Sequence, residues 1–172
     1  MPKRVPAFVL IAGLIVVLAA CGGGSSSSGK AVSCAGSKSA ASAGDAVSTW
    51  CSSFGAILVD GKGYVLYASS ADTAKKSDIM WSPVAVRGTP KVAPGLKKSL
   101  VGDVTRADGS HQLTYGGHPL YTYKADTGPH LVNGQGLESF GATWYIISAK
   151  TGKLITKKLS TKQQRGGNGP GY

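Results

Sequence analysis

Two histidines and one aspartate in the second half of the sequence have the chemistry to bind a metal ion. His118 and His130 flank Asp126 along the chain, and imidazole with carboxylate is a ligand set that suits a transition metal. The other interpretation is that all three are ordinary loop or strand-end residues, because His118 directly precedes Pro119 in a turn-like stretch. A metal-binding or redox protein is therefore kept as the alternative hypothesis.

The sequence lacks the common signatures of catalysis. It contains no Gly-x-Ser-x-Gly, no His-Glu-x-x-His, no phosphate-binding glycine loop and no Cys-x-x-Cys-His. Its 8 acidic residues include a single glutamate, Glu138. The spacing of aspartates such as Asp103, Asp108 and Asp126 selects no pair for acid–base work. We therefore expect no enzymatic activity and no cofactor.

A frame that is rich in aromatic residues occurs twice. The pattern Gly-x-x-Leu-Tyr-x-x-x-Ala-Asp spans residues 63–72 and again 117–126. Alternation along a strand places Tyr121 and Tyr123 on one side, which we expect to face the core, and Asp126 would end the strand in a turn. Contact with a ligand or partner is the alternative, because aromatic residues are enriched at binding hot spots. The residues assigned to the core and its turns, or else to a binding surface, are Tyr67, Asp72, Trp81, Tyr121, Tyr123, Asp126 and Trp144.

The elements around the two frames predict an all-β fold. Turn signals lie between apolar, β-branched runs at residues 60–63, 108–109, 116–117 and 151–152, and they indicate hairpins. Residues 75–93 look irregular, and residues 94–100 could form at most a turn or two of helix. A lone hairpin cannot bury its apolar face, so two copies, at about residues 55–105 and 110–150, are expected to share one core.

We predict a single small domain of antiparallel hairpins at residues 49–158, built from these two related repeats. The Ser/Gly/Ala-rich tether at residues 21–48 and the tail at 159–172 hold few large apolar residues, so we expect both to be disordered. Ser69 stands in the first copy where the second has Tyr123. We therefore expect Tyr67 to matter less for stability than Tyr121.

The N-terminus has the order of a secretory signal. Lys3 and Arg4 precede an apolar run at residues 5–20, which is a little short for a membrane span of about 20 residues, so residues 1–20 are assigned to a signal peptide. The run ends in Leu-Ala-Ala-Cys, which resembles a bacterial lipobox, and the resemblance implies that Cys21 is lipidated and becomes the mature N-terminus. Together with the flexible tether, this predicts a lipid anchor at the extracytoplasmic face of the cell membrane. An uncleaved membrane anchor is the alternative.

Two cysteines remain after Cys21. Secretion permits Cys34 and Cys51 to form a disulfide, which would stabilise the folded state by on the order of 3 kcal/mol. Two free thiols are the alternative.

The chain is strongly basic. Its formal net charge is +11, or +9 once Lys3 and Arg4 leave with the signal peptide. Such a charge is compatible with anionic envelope components, such as lipid heads and wall polymers, as partners. The alternative interpretation is a solvated basic surface that faces an anionic envelope. The lysines form scattered pairs rather than a basic helix, so nucleic acid is not expected as a partner.

The second frame and its surroundings resemble a known family. The matching segments are residues 106–121, Leu-Tyr-Thr-Tyr-Lys-Ala-Asp at 120–126, Gly-Gln-Gly at 134–136 and Phe-Gly-Ala-Thr-Trp-Tyr at 140–145. They are similar to the secreted lipoprotein repeat family, bacterial lipoproteins predicted from a Tyr-x-(Phe/Trp/Tyr)-x-x-Asp motif. The first copy departs from that pattern, since Ser69 replaces the aromatic residue and Trp-Ser-Pro-Val at 81–84 stands where the family often has Trp-Pro-Pro. The resemblance implies an extracytoplasmic location and carries no established biochemical role.

Overall fold

The computed structural model describes residues 34, 47–71 and 79–157, and within them the chain is all-β. It forms ten short strands and one 3₁₀ turn at Lys98–Leu100, with no α-helix in this part of the chain. Antiparallel pairing throughout the sheets confirms the predicted class. None of these residues belongs to a helix long and apolar enough to span a membrane. The strands are β1 (Ser48–Ser52), β2 (Gly55–Val59), β3 (Leu66–Ser69), β4 (Trp81–Pro83), β5 (Val101–Thr105), β6 (His111–Tyr115), β7 (His118–Pro119), β8 (Tyr121–Tyr123), β9 (Glu138–Ser139) and β10 (Ala142–Ile146).

The described strands form three sheets. β1 pairs with β2, β5 pairs with β6 and then β7, and the largest sheet has the order β4-β8-β3-β10-β9. The chain that follows β4 and β10 links this sheet to the hairpins, since Ala85 bridges Gln112 and Ser148 bridges Ile57.

The same unit of structure occurs twice. Each unit has a hairpin, a strand that carries the repeated frame and a strand that carries a tryptophan: β1–β2, β3 and β4 in the first copy, β5–β6, β8 and β10 in the second. β3 and β8 lie side by side, with Tyr67 opposite Tyr121. β4 pairs with β8, and β10 pairs with β3. Each copy therefore pairs its tryptophan strand with the frame strand of the other, about an approximate two-fold axis.

The copies begin earlier than the sequence pattern predicts. β5 pairs along its whole length with β6, so residues 101–105 belong to the second copy and not to the first. Their counterpart β1 starts at Ser48, and Val47 before it is fully buried and bridges Val92. The folded domain thus starts inside the segment that the sequence assigns to the tether. The small polar residues of β1 conceal this strand in the sequence.

The stretch 75–93 is also less irregular than predicted. Its first residues lie outside the described part, but Trp81–Pro83 forms β4 against β8, with Trp81 opposite Tyr123. Pro83 has no N–H donor, which an edge strand tolerates, and β4 lies at the edge of the large sheet. The pairing accompanies the burial of Trp81, which is 2% exposed, and the nearby prolines and glycine conceal the strand in the sequence.

The turn between β2 and β3 is held by a single aspartate. Oδ1 of Asp60 accepts the backbone N–H groups of Lys62, at 2.8 Å, and Tyr64, at 2.9 Å. Val59 and Val65 bridge across its base. The predicted hairpin turn is present, although the chain leaves the hairpin at once, because β3 joins the large sheet.

The corresponding turn of the second copy is shorter. Gly116 and Gly117 both have positive φ, 61° and 85°, as the two-residue hairpin turns require. A Cβ atom at Gly116 would lie 2.6 Å from the carbonyl oxygen of Gly152, in the turn after β10. Only glycine fits at this contact between two turns.

Two clusters of buried side chains form the core. One is mainly aliphatic, with Leu58, Leu66, Leu113 and Leu120 among its members. The other is built around aromatic rings and contains Tyr67, Trp81, Tyr121 and Trp144, together with Ile57, Val59, Val65 and Ile146.

A disulfide joins Cys34 to Cys51 in β1, with the two Cα atoms 6.0 Å apart. The predicted signal peptide 1–20, the lipidated Cys21, almost all of the tether and the tail 159–172 lie outside the described residues, as does Asp72.

Candidate functional site

The residues of the repeated frame meet at the axis between the two copies. The indole rings of Trp81 and Trp144 are stacked, with centroids 3.9 Å apart and planes at 6°. The ring of Tyr123 stacks on the outer face of this pair, 4.4 Å from Trp81, and Tyr121 meets Trp144 edge to face. Tyr67, Tyr121 and both tryptophans are at most 2% exposed. Strand register places these rings on one face, because Trp81 lies opposite Tyr123 and Tyr67 opposite Tyr121.

A buried hydrogen-bond network connects this cluster to the loop after β8. The hydroxyl of Tyr67 donates to Oδ2 of Asp126 at 2.7 Å and accepts the N–H of Gly134 at 3.2 Å. Oδ1 of Asp126 accepts the N–H of Asn133 at 3.0 Å. A buried hydrogen bond therefore joins a tyrosine of the first copy to an aspartate of the second.

The electrostatics of this pair follow from its burial. Burial raises the pKa of the Asp126 carboxyl, and the hydrogen bonds from Tyr67 and Asn133 partly oppose that rise. Burial, followed by the charge and hydrogen bond of Asp126, raises the pKa of the Tyr67 phenol far above its ordinary value. Tyr67 is therefore a permanent donor at physiological pH, and both oxygens of Asp126 have donors.

The Gly-Gln-Gly segment at 134–136 closes the network. A Cβ atom at Gly134 would lie 2.8 Å from the ring of Trp81 and 2.9 Å from that of Tyr67, so the loop can approach the cluster only with glycine here. The buried Gln135 accepts the N–H of Ile146 at 2.8 Å and donates to the carbonyl oxygen of Ile155 at 2.6 Å. These roles are visible in the sequence only as part of a family-like motif.

One serine joins the two tryptophans. Oγ of Ser139 accepts the indole N–H of Trp144 at 2.8 Å and that of Trp81 at 3.1 Å. Ser139 lies in β9, next to β10. No feature of the sequence singled out this residue.

The three candidate metal ligands do not converge. His118 lies in β7, and the backbone N–H of His130 donates to the carbonyl oxygen of Gly63 while its ring stacks on Trp50 at 4.6 Å. Asp126 is occupied by Tyr67 and Asn133. Across residues 34, 47–71 and 79–157, no group of three or more His, Cys, Asp or Glu side chains could hold a metal ion. The alternative hypothesis of a metal or redox site has no support in this geometry.

A groove of about 430 Å³ opens beside the buried network. It lies between the β2–β3 turn of the first copy and the end of β8 in the second. It is lined by Asp60, Lys62, Tyr64, Thr122, Tyr123, Lys124, Asp126 and Thr127. A second hollow, of about 510 Å³, is lined by Thr89, Pro90, Lys91, Val92, Lys98 and Val101.

Comparison with known families supports the resemblance seen in the sequence. Residues 102–148 match a family described as a secreted repeat of unknown function. The match starts in β5 and ends just after β10, so it covers the second structural copy. No curated protein and no solved structure matches the chain significantly. The predicted family resemblance is confirmed over this segment, and a secreted repeat implies an extracellular or envelope location.

Proposed function

We propose that the protein is a lipid-anchored extracytoplasmic lipoprotein that acts as a non-enzymatic binding or structural module of the cell envelope. The observation that carries this proposal is that the motif residues pack against one another and that protein donors occupy their hydrogen-bond acceptors. The motif tyrosines and tryptophans fill the core, and Asp126 accepts hydrogen bonds at both oxygens. Such residues build a rigid scaffold and leave binding to the surface around it.

The same observation argues against acid–base chemistry at the motif. Asp126 is the buried carboxylate among the described residues, and both of its oxygens already accept hydrogen bonds from the protein. Tyr67 is buried and holds its proton tightly. These contacts support a scaffold role for the motif residues.

The anchor and the partners follow from the ends of the chain. Leu-Ala-Ala-Cys at residues 18–21 precedes a Gly/Ser tether, which would give a lipid-held domain freedom to reach its partner. A net charge of +9 after removal of residues 1–20 favours anionic envelope components over neutral ones. Nucleic acid is not proposed as a partner.

Metabolic labelling with palmitate, followed by cell fractionation, tests the anchor. We expect the wild-type chain and the matched variant Ser25→Ala to be labelled and to fractionate with membranes, whereas Cys21→Ala is unlabelled. Labelling of Cys21→Ala at the wild-type level would refute the lipoprotein assignment. Cross-linking on intact cells then tests the binding role, which predicts capture of an envelope component by the wild-type protein.

A further inference from the structure

The groove beside Asp126 exists because the two copies differ on both of its walls. The first copy turns through residues 60–64, whereas the second makes the tighter turn at Gly116 and Gly117. The longer turn carries Lys62 and Tyr64 to the end of β8, where both line the groove.

The opposite wall has diverged as well. Tyr123 and Lys124 of the second copy correspond, in the aligned frames, to Ser69 and Ser70 of the first. The position related by the two-fold axis therefore lacks both the tyrosine and the lysine of this wall. The shared core does not require the two lysines, since Lys62 and Lys124 are exposed, whereas the ring of Tyr123 also packs on Trp81.

The protein's own contacts hold the walls of the groove in place. Asp60 fixes the turn through two backbone N–H groups, and the carbonyl oxygen of Gly63 accepts the N–H of His130 at 3.0 Å. A Cβ atom at Gly63 would lie 3.0 Å from Cβ of Pro129, so the turn packs closely on the loop after β8. Preorganisation of this kind lowers the entropic cost of binding.

Two aspartates and two lysines line the groove, and the protein's own hydrogen bonds already engage part of the carboxylate surface. Oδ1 of Asp60 and both oxygens of Asp126 accept hydrogen bonds from the protein. Within residues 34, 47–71 and 79–157 the one ion pair joins His111 to Asp103, so the ammonium groups of Lys62 and Lys124 have no carboxylate partner there.

We propose that this groove binds an anionic carbohydrate chain of the envelope, an inference that rests on the proposed binding function and names its ligand class. Lys62 and Lys124 would bind the phosphate or carboxylate groups through charge-assisted hydrogen bonds. The half-buried rings of Tyr64 and Tyr123 offer apolar surface to a sugar ring, and the Thr122 and Thr127 side chains line the same space. A groove of about 430 Å³ falls within the size range of small-molecule sites, roughly 300–1,000 Å³, and accommodates a short segment of such a chain.

Titration of the mature full-length lipoprotein in detergent tests this assignment. The probes are poly(glycerol phosphate), polygalacturonate and neutral dextran, and the two anionic polymers distinguish a phosphate from a carboxylate ligand. The test variant is Lys62→Gln/Lys124→Gln, which keeps the turn because Asp60 binds the backbone and not the side chain of Lys62. The matched control is Lys150→Gln/Lys153→Gln, which removes the same charge from exposed positions in the turn after β10.

We expect wild-type protein to bind at least one anionic polymer and not dextran. The groove variant should bind it at least about tenfold more weakly, since two charge-assisted bonds are lost, and the control variant should change affinity less than about threefold. The charge-preserving variant Lys62→Arg/Lys124→Arg should retain most of the affinity.

Equal weakening in the groove and control variants would show that only overall charge matters and would overturn the inference, as would absence of binding to both anionic polymers. Neither result touches the proposed function, which palmitate labelling and cross-linking on cells test separately. If palmitate labelling does not depend on Cys21, the proposed lipid anchor is refuted, but the result of the titration still stands.

Discussion

The first and second copies have the same order of strands, but they contribute different turns and connections to the domain. The first copy has the disulfide-bonded hairpin and the longer turn at 60–64. The second copy has the longer connection between its frame strand and its tryptophan strand, which carries Asp126, Gly134 and Ser139. Those residues complete the hydrogen bonds of Tyr67 and of both tryptophans. The strands are common to both copies, whereas the polar contacts that close the core come from the longer connection of the second copy.

The pairing of strands makes the copies interdependent. β4 of the first copy pairs with β8 of the second, and β10 of the second pairs with β3 of the first. Neither copy can complete the large sheet alone, and the stacked tryptophans contribute one ring from each. Mutations at equivalent residues of the two copies therefore test whether similar backbone positions contribute similar free energies of unfolding.

The largest difference is expected between the two tyrosines that face each other across the axis. Tyr67→Ala removes a fully buried ring and also leaves Asp126 and Gly134 without its hydroxyl, so we expect a loss of about 4 kcal/mol in the free energy of unfolding. Tyr121→Ala removes a ring that is 1% exposed and should cost about 3 kcal/mol. Urea denaturation of the two full-length variants measures the difference.

This order is the reverse of the one that the sequence suggests. Ser69 in place of an aromatic residue makes the first frame look less heavily packed, but the hydroxyl of Tyr67 bonds to both Asp126 and Gly134. Greater destabilisation by Tyr121→Ala than by Tyr67→Ala would restore the sequence-based order and would show that the network contributes little.

A second comparison concerns the outer hairpins. β1 is tied to Cys34 through Cys51, whereas its counterpart β5 has Thr105 at the equivalent place in the repeat. The bridge spans a sequence separation of 17, and closing a loop of that size stabilises the fold by about 3 kcal/mol in the chain-entropy model. Cys34→Ser/Cys51→Ser should lower stability by that amount, and hydrogen exchange should increase first in β1. Uniform loss of protection over both hairpins would contradict this local role.

Much of the fold could be predicted from the sequence because its local signals are strong. Glycine and aspartate at 60–63, 108–109 and 116–117 specify turns, and the runs between them favour strands. β1 and β4 could not be found in this way. Their few small or proline-containing residues carry no clear period, and long-range pairing with β2 and β8 forms them.

The candidate site was predictable only in part. The aromatic frame identified the rings that meet at the axis, but Gly134 and Ser139, which bond to Tyr67 and Trp81, lie 67 and 58 residues away from them along the chain. The groove depends on the approach of the 60–64 turn to the end of β8, which no local pattern encodes. The grouping of His118, Asp126 and His130 failed because proximity along the chain does not make side chains converge.

The hydroxyl of Tyr67 can be examined apart from its ring, and its effect should depend on pH. Burial raises the folded-state pKa of Asp126 above the unfolded value of about 3.9. Its stabilising contribution is therefore complete below the unfolded pKa and is lost as the pH rises through the folded pKa. The hydrogen bond from Tyr67 lowers the folded-state pKa of Asp126. Tyr67→Phe should therefore raise that pKa further, and the pH range over which stability is lost should extend to higher pH.

We expect Tyr67→Phe to cost about 2 kcal/mol above the folded-state pKa of Asp126, where a buried carboxylate loses a donor, and less below about pH 4, where Asp126 is protonated. Urea denaturation at a series of pH values measures this trend. Tyr145→Phe on β10 is the control, since Tyr145 is only partly buried and should show no such dependence. A penalty for Tyr67→Phe that is the same at every pH would mean that its hydroxyl does not act on the charge of Asp126.

The smallest expected effect concerns the serine that joins the two copies at the tryptophan pair. Ser139→Ala removes the acceptor shared by Trp144 and Trp81, and we expect a loss of about 1 kcal/mol, because Ser139 is only partly buried and water can replace its hydroxyl. Ser139→Thr keeps the acceptor and should retain most of the stability. Tryptophan emission provides a second readout, since both indole N–H groups change partner in Ser139→Ala but not in Ser139→Thr. If both variants leave stability and emission unchanged, stacking alone holds the two tryptophans together. Their contact would then not need the hydroxyl of Ser139 from the second copy.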